Sequence, residues 1–374
     1  MSGRLFSVFI VFVVLLTAAC TSGGGFKGRG GSVPATSQGG DSIAAKPPAI
    51  RVDTFVVALT GDIMMGTTYP DSALPRDCGA ALFADVGGIL RRADIAAGNL
   101  EGALCDTSVA ANKRKSEHSY LFRTPVEFAP RLKEAGYDFL SMANNHALDF
   151  GYDGVRSTEE SLDMAGIKYA GLRGRSECAV VERRGIRFGL CAFGHNYYTL
   201  RHSELWKVKE ILDSLCSMAD VVIVSFHGGG EGKAFSHLPY EEEMFLGEKR
   251  GSLRSFARYC IDNGADIVFG HGPHVVRAVE MYKGRLIAYS LGNFCTPYGV
   301  SISGMSGYAP VIEAVTDRRG RFIKGRIYPF VQRRGLGPRR DTTGVVVKRI
   351  MELTAADIPG GKLEIRPDGE IRRK

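Results

Sequence analysis

Asp62, Asn99, Glu101, Asn145, His146, His227, His271 and His274 are the residues whose types and order point to chemistry in this chain. Carboxylate, amide oxygen and imidazole together suit a divalent transition metal such as Mn, Zn or Fe, as one ion or two. Taken singly, each has a plainer reading. Gly61-Asp62 makes an ordinary turn or cap, Asn144-Asn145 a turn pair, and His271 and His274 flank a turn at Pro273. The set is what carries weight, because five successive predicted strands end in such residues.

Those strands must sit side by side for the residues to meet. Thr54 to Leu59 reads as a buried strand running into Asp62, Asp94 to Ala97 leads to Asn99 and Glu101, and Asp138 to Met142 leads to Asn144-Asn145-His146. Val221 to Phe226 leads to His227, and Asp266 to Phe269 leads to His271. Between them lie helical stretches over Leu82 to Arg92, Pro125 to Ala135, Asp153 to Ala165, Ser203 to Met218 and Tyr240 to Asn263. Hairpins are expected over Arg184-Gly185 and Lys283-Gly284. Alternating strands and helices predict an α/β fold, and in such sheets ligands gather at the carboxyl ends of strands.

The ordered series Gly61-Asp62, Asn99-Leu100-Glu101, Asn144-Asn145-His146, His227, Gly270-His271-Gly272-Pro273-His274-Val275 and Ser290-Leu291-Gly292-Asn293-Phe294 resembles the CapA family of poly-γ-glutamate capsule-synthesis proteins. That family is similar to the calcineurin-like metallophosphoesterases. The resemblance runs roughly from Val52 to Pro329. It implies a four-layer α-β-β-α sandwich with the site at one edge of the sheets. It implies Asp62, Glu101, Asn145, His227, His271 and His274 as metal ligands, with His146 as the residue that stabilises substrate and leaving group. Two ions would activate a water and clamp charge on phosphorus, which is phosphoester hydrolysis or transfer. The chain also departs from the standard phosphoesterase pattern. Asp62-Ile63-Met64 stands where Asp-x-His is usual, Asn99-Leu100-Glu101 replaces the bridging Asp motif, and His271 and His274 are spaced by three.

Several residues are supporting candidates. Asn99 and Asn144 belong to the motifs themselves. Glu231 is placed to hydrogen-bond a ligand histidine, and Asn293 either supports the site or forms a turn. Arg123 and His118 come from a loop able to cover the cleft, whereas Trp206 and Tyr197-Tyr198 read as packing residues.

The ends of the chain set the location. Arg4 and the apolar run Leu5 to Leu16 have the length of a secretory signal core, short of the ~20 residues a spanning helix needs. The run ends in Thr17-Ala18-Ala19-Cys20, which resembles a bacterial lipobox, so residues 1–20 are read as a lipoprotein signal with Cys20 lipidated. The alternative is ordinary cleavage after Ala19. Residues 21–50, rich in Gly, Ser, Ala and Pro, form a flexible tether. Residues 51–332 form the CapA-like domain, and residues 333–374 an extension that packs on it. The expected location is the extracytoplasmic face of a cell membrane.

A net charge of +8 is spread through the chain without interleaved aromatics, which argues against nucleic acid and for an anionic envelope polymer or membrane surface. Of eight cysteines, none forms a Cys-x-x-Cys pair, and Cys78 and Cys105 are candidates for a disulfide. Two functions remain in view. One is a metal-dependent phosphoesterase or transferase acting on a phosphorylated or polymeric envelope substrate. The other is a non-catalytic accessory protein that binds an anionic polymer for assembly or export, alongside other capsule-synthesis membrane proteins.

Overall fold

The computed structural model describes residues 54–112 and 120–374. The signal segment, Cys20, the tether and His118 lie outside the described residues.

The first sheet starts with four parallel strands: β1 (Phe55–Ile63), β2 (Ile95–Leu100), β3 (Phe139–Ser141) and β4 (Lys168–Ala170). The chain then builds a second sheet from β5 (Cys178–Arg183), β6 (Ile186–Phe193), β7 (Val221–His227), β8 (Ile267–His271), β9 (Val279–Tyr282) and β10 (Arg285–Ala288). Their spatial order is β9-β10-β8-β7-β6-β5, with parallel inner strands and an antiparallel strand at each edge. The chain returns to the first sheet with β11 (Asn293–Cys295), which lies parallel to the end of β1. Then β12 (Val311–Thr316), β13 (Phe322–Tyr328), β14 (Leu363–Ile365) and β15 (Glu370–Arg373) extend it antiparallel on the other flank of β1.

Alternation along the strands explains the layering. In β1, Phe55, Val57 and Leu59 enter a core shared with the second sheet, and Ala58 faces the opposite way. In β7, Val221 and Ile223 enter the same shared core, whereas Val222, Val224 and Phe226 face outward. Each outward face is covered by helices. α1 (Gly87–Leu90), α2 (Ala129–Ala135) and α3 (Gly151–Ala165) cover the first sheet. α4 (Leu205–Met218) and α5 (Leu253–Asp262) cover the second. α5 buries Leu253, Phe256, Ala257, Cys260 and Ile261, the spacing of one helical face. A sixth helix, α6 (Val345–Asp357), inserts Val346, Val347, Ile350 and Leu353 into the shared core. The result is a four-layer α-β-β-α sandwich.

Local readings fail in four places. The helix expected over Tyr240–Asn263 begins only at Leu253. Ahead of it Glu243–Phe245 and Glu248–Gly251 form a hairpin, and Leu246 and Gly247 take φ of 48° and 79° at its turn. Leu82 to Arg92 holds turns and one short helix, because Gly87-Gly88 weakens the helix where it starts. The stretch from Pro329 to Arg340, whose Gly and Arg content reads as a surface loop, is a hairpin of Phe330–Arg333 and Gly337–Arg340. Cys78 and Cys105 do not pair. Cys78 is exposed and donates to Glu127 Oε1 at 3.6 Å, while Cys105 is a buried free thiol that burial pushes up to about 11. Among the described residues no helix is long and apolar enough to cross a membrane.

Candidate metal centre

The carboxyl ends of both sheets meet at one place. Asp62 pairs in register with Asn99 on one side and Asn293 on the other. His271 and His227 are register partners on adjacent parallel strands. The close fit of β1 depends on Gly61, where an added Cβ would lie 1.9 Å from the Gly292 carbonyl oxygen. That approach lets the Asp62 amide donate to the same oxygen at 2.9 Å, which fixes the carboxylate's origin.

Asp62 is fully buried. Its Oδ1 accepts from Asn99 Nδ2 at 2.9 Å and faces His271 Nδ1 at 3.2 Å, and its Oδ2 meets His274 Nδ1 at 3.0 Å. Burial opposes its ionisation, but His271 and His274 outweigh that and hold the carboxyl well below the usual range. His274 is the reciprocal case. Burial disfavours its charge, and the Asp62 carboxylate overcomes this to raise it to about 9. His274 also sits at φ 56°, a left-handed conformation that is costly for a residue carrying a Cβ and that recurs at functional sites.

Glu101 is the second buried carboxylate, 3.3 Å from His227 Nε2 and 3.9 Å from His146 Nε2. Its Oε2 accepts from Asn99 Nδ2, so one amide bridges the two acids. Burial raises its pKa, but the charge of His227 prevails and brings it down to about 2. Both acids are therefore ionised at neutral pH. Asn144 donates to Asn99 Oδ1 at 3.0 Å and to the Leu100 carbonyl at 2.8 Å, and its own Oδ1 accepts from the His146 amide at 3.0 Å. It locks the frame rather than facing the centre. Asn145 is half-buried beside it.

The predicted metal residues Asp62, Glu101, His227, His271 and His274 thus come together from both sheets, with His146 at one rim. Glu231 falls short of its expected role: it pairs with Arg250 at 2.9 Å and lies 4.0 Å from His274 Nε2, beyond hydrogen-bond reach. Asn293 sends its Nδ2 to the Ser301 and Ser306 carbonyls at 3.3 and 3.1 Å, while its buried Oδ1 has no hydrogen bond. Arg123 does not cover a cleft. It is buried, donates to Thr68 Oγ1 at 2.8 Å, and stacks on Phe150. Trp206 and Tyr197 are not packed, being 68% and 74% exposed, whereas the Tyr198 hydroxyl donates to the Asn144 carbonyl at 3.2 Å.

Sequence reasoning missed Asp149 and His195. Asp149 Oδ2 lies 2.8 Å from His146 Nδ1 and accepts the Phe122 amide at 2.9 Å. Its signal was the three-residue offset from His146. His195 follows the end of β6 just as the other candidates follow theirs, and its ring lies 5.9 Å from that of His227.

Among the described residues, no three His, Cys, Asp or Glu side chains stand at the spacing of a closed metal cage. Asn99 and the imidazoles draw the carboxylates into hydrogen bonds and close contacts instead. The donor set nonetheless fits a cation. Glu101 Oε1 and His227 Nε2 meet only at 3.3 Å and Asp62 Oδ1 and His271 Nδ1 only at 3.2 Å, while His227 Nδ1 and His271 Nε2 are buried without a hydrogen bond. Lone pairs buried in this way cost free energy unless something else binds them. Two ionised acids grouped with several imidazole nitrogens are a donor set that suits a divalent ion.

Layers and strand-end donors together define a four-layer α-β-β-α protein with its candidate residues gathered at the carboxyl ends of both sheets. Residues 56–298 match the model of the bacterial capsule synthesis protein family PGA_cap, and the chain belongs to that family. It is similar to the PGA biosynthesis protein CapA of Bacillus subtilis (strain 168), at 28% identity over 68% of this chain and 67% of that protein. It is also similar to the capsule biosynthesis protein CapA of Bacillus anthracis, at 26% identity over 66% of this chain and 61% of that one. A solved structure of a 5'-nucleotidase precursor from Thermus thermophilus aligns with 82% of this chain and 59% of its own, at 13% identity and a TM-score of 0.42.

Proposed function

We propose that this chain is a divalent-metal phosphoesterase or phosphotransferase that acts at the cell envelope in synthesis of a capsule or poly-γ-glutamate-type polymer. The observation that carries the reading is the pair of buried, ionised acids, Asp62 and Glu101, clustered with His227 and His271, each of which keeps a buried ring nitrogen without a hydrogen bond. Asp62, His271 and His274 would hold an ion on one side, and Glu101, His227 and Asn145 on the other. Such ions supply a lowered-pKa water and charge neutralisation for phosphoryl oxygens.

The chain's own residues supply the rest. Asp149, as acceptor at 2.8 Å, keeps a proton on His146 Nδ1 and fixes the ring. That leaves His146 Nε2 as the atom that takes up and delivers a proton to a leaving oxygen. The Phe122 ring, 4.4 Å away, covers one face of the imidazole and excludes water there. Lipidation at Cys20 would tether the domain to the outer face of the membrane, near an anionic polymer and the other membrane proteins of capsule synthesis.

One observation favours a second reading, a non-catalytic accessory protein that binds the polymer. Met64, buried and apolar, occupies the position where a phosphoesterase places an imidazole. His146→Ala separates the two. Metal content by elemental analysis should stay at wild-type level in that variant, while turnover of a phosphoester panel should vanish. Wild-type turnover in His146→Ala would remove the proton-transfer role of His146, and no turnover of any phosphoester by the metal-loaded wild type would leave the accessory role standing.

A further inference from the structure

We propose that His195 is an additional nitrogen donor to a divalent ion bound beside His227, with Glu248 orienting its ring. This deepens the metal reading above and rests on it. β6 and β7 are parallel and in register through Phe193 and Phe226, so the residues just past their ends emerge together. The His195 ring lies 5.9 Å from the His227 ring with 25° between their planes. The side chain is only 5% exposed, and beyond a long contact to the His227 backbone its ring nitrogens find no well-formed hydrogen bond.

A stacking role alone does not account for this side chain. Any flat ring would support His227, and a phenyl ring would do so without burying a poorly bonded ring nitrogen. What surrounds the ring resembles the outer shell of a metal-bound histidine, in which a carboxylate receives the N–H opposite the ligating nitrogen. Glu248 Oε2 stands 3.8 Å from His195 Nε2, and Glu248 is itself held by Arg250 Nε at 3.0 Å. Arg250 also binds Glu231 at 2.9 Å, and Glu231 reaches to 4.0 Å from His274. His195 and His274 are therefore two ends of one charged chain that runs behind the centre. Were Glu248 to close the 3.8 Å gap and accept Nε2–H, Nδ1 would carry the lone pair available to an ion.

The test uses the full chain and Co²⁺ as the probe, read by its visible ligand-field absorption and by titration. His195→Phe keeps a flat ring against His227 and removes the nitrogens. The expected result is a shifted Co²⁺ spectrum and binding weakened by about 10-fold or more, with wild-type circular dichroism. If His195→Phe misfolds, His195→Gly with added imidazole replaces it. Imidazole that restores the wild-type spectrum supports the assignment, and imidazole without effect overturns it. An unchanged spectrum and affinity in His195→Phe would overturn the role of His195 while leaving the metal reading intact. Failure of the wild type itself to bind Co²⁺, in parallel with Asp62→Ala, would remove the metal reading and His195 with it.

Discussion

The two sheets contribute different chemistry to the same place. The first supplies acids and amides: Asp62, Asn99, Glu101, Asn144 and Asn293. The second supplies most of the imidazoles, His195, His227 and His271, with His274 just beyond, while His146 follows β3 of the first. The first half is knitted together by its own hydrogen bonds, through Asn99 and Asn144. In the second half, His195, His227 and His271 hold buried ring nitrogens without hydrogen bonds. One side is a hydrogen-bonded frame around two acids, and the other is a row of buried imidazoles, several of which keep a ring nitrogen without a hydrogen bond.

The strongest way to break that contrast is to remove the frame's charge. Asp62→Ala should abolish metal binding, exceeding the ~100-fold loss that follows from deleting an outer partner. Elemental analysis of the purified protein reads this directly, and full retention of metal would refute the division of labour. Next in size is Asp149→Asn. It should leave metal content unchanged and lower phosphoester turnover by about 100-fold or more, because an amide that turns its NH2 toward Nδ1 holds the His146 ring in the other tautomer.

The imidazole side should also make the protein acid-sensitive. His202 is buried against Phe256, and burial first, then the charge of His227, lowers it to about 4. The unfolded chain takes a proton near pH 6.5 and the folded one only near 4. Stability from this group is thus complete above pH 6.5 and falls as pH drops to about 4, by about 1.4 kcal/mol per pH unit. Chemical denaturation of His202→Leu across that window should show a flatter slope than wild type. An identical slope would mean that His202 is solvated when folded. The smallest effect is expected at Trp206, which is exposed and belongs to neither half. Trp206→Ala should change stability by no more than about 0.5 kcal/mol and metal content not at all, as melting and elemental analysis would record.

Much of this was legible in the sequence because strand ends are local features. A short β-rich run followed by Asp, Asn-Leu-Glu or Asn-Asn-His marks both the element and the point where side chains leave the sheet. Asp149 escaped because its link to His146 depends on a turn, and i+3 spacing outside a regular helix gives no period to follow. His195 escaped because a single histidine after a strand has no motif around it. Arg123 was misplaced since charge suggests exposure, yet its guanidinium finds Thr68, Tyr69 and Phe150 in a buried niche. Tyr240 to Asn263 was misread because its apolar spacing satisfies a helix, while the turn at Leu246-Gly247 and the pairing of two short strands decide otherwise.

The placement of α6, β14 and β15 has a consequence for the order of assembly. Val346, Ile350, Leu363 and Ile371 lie in the same core as Phe55 and Val57 of the first strand. The central strand β1 is flanked by β12, whose residues follow more than two hundred positions later. Contacts this distant along the chain are slow to form, since a long loop must close before they contribute. A chain emerging from the ribosome cannot close its central core until Val345–Arg373 have appeared. Until then the inner faces of both sheets remain exposed, and the growing chain stays open to whatever chaperone or translocation channel meets it first.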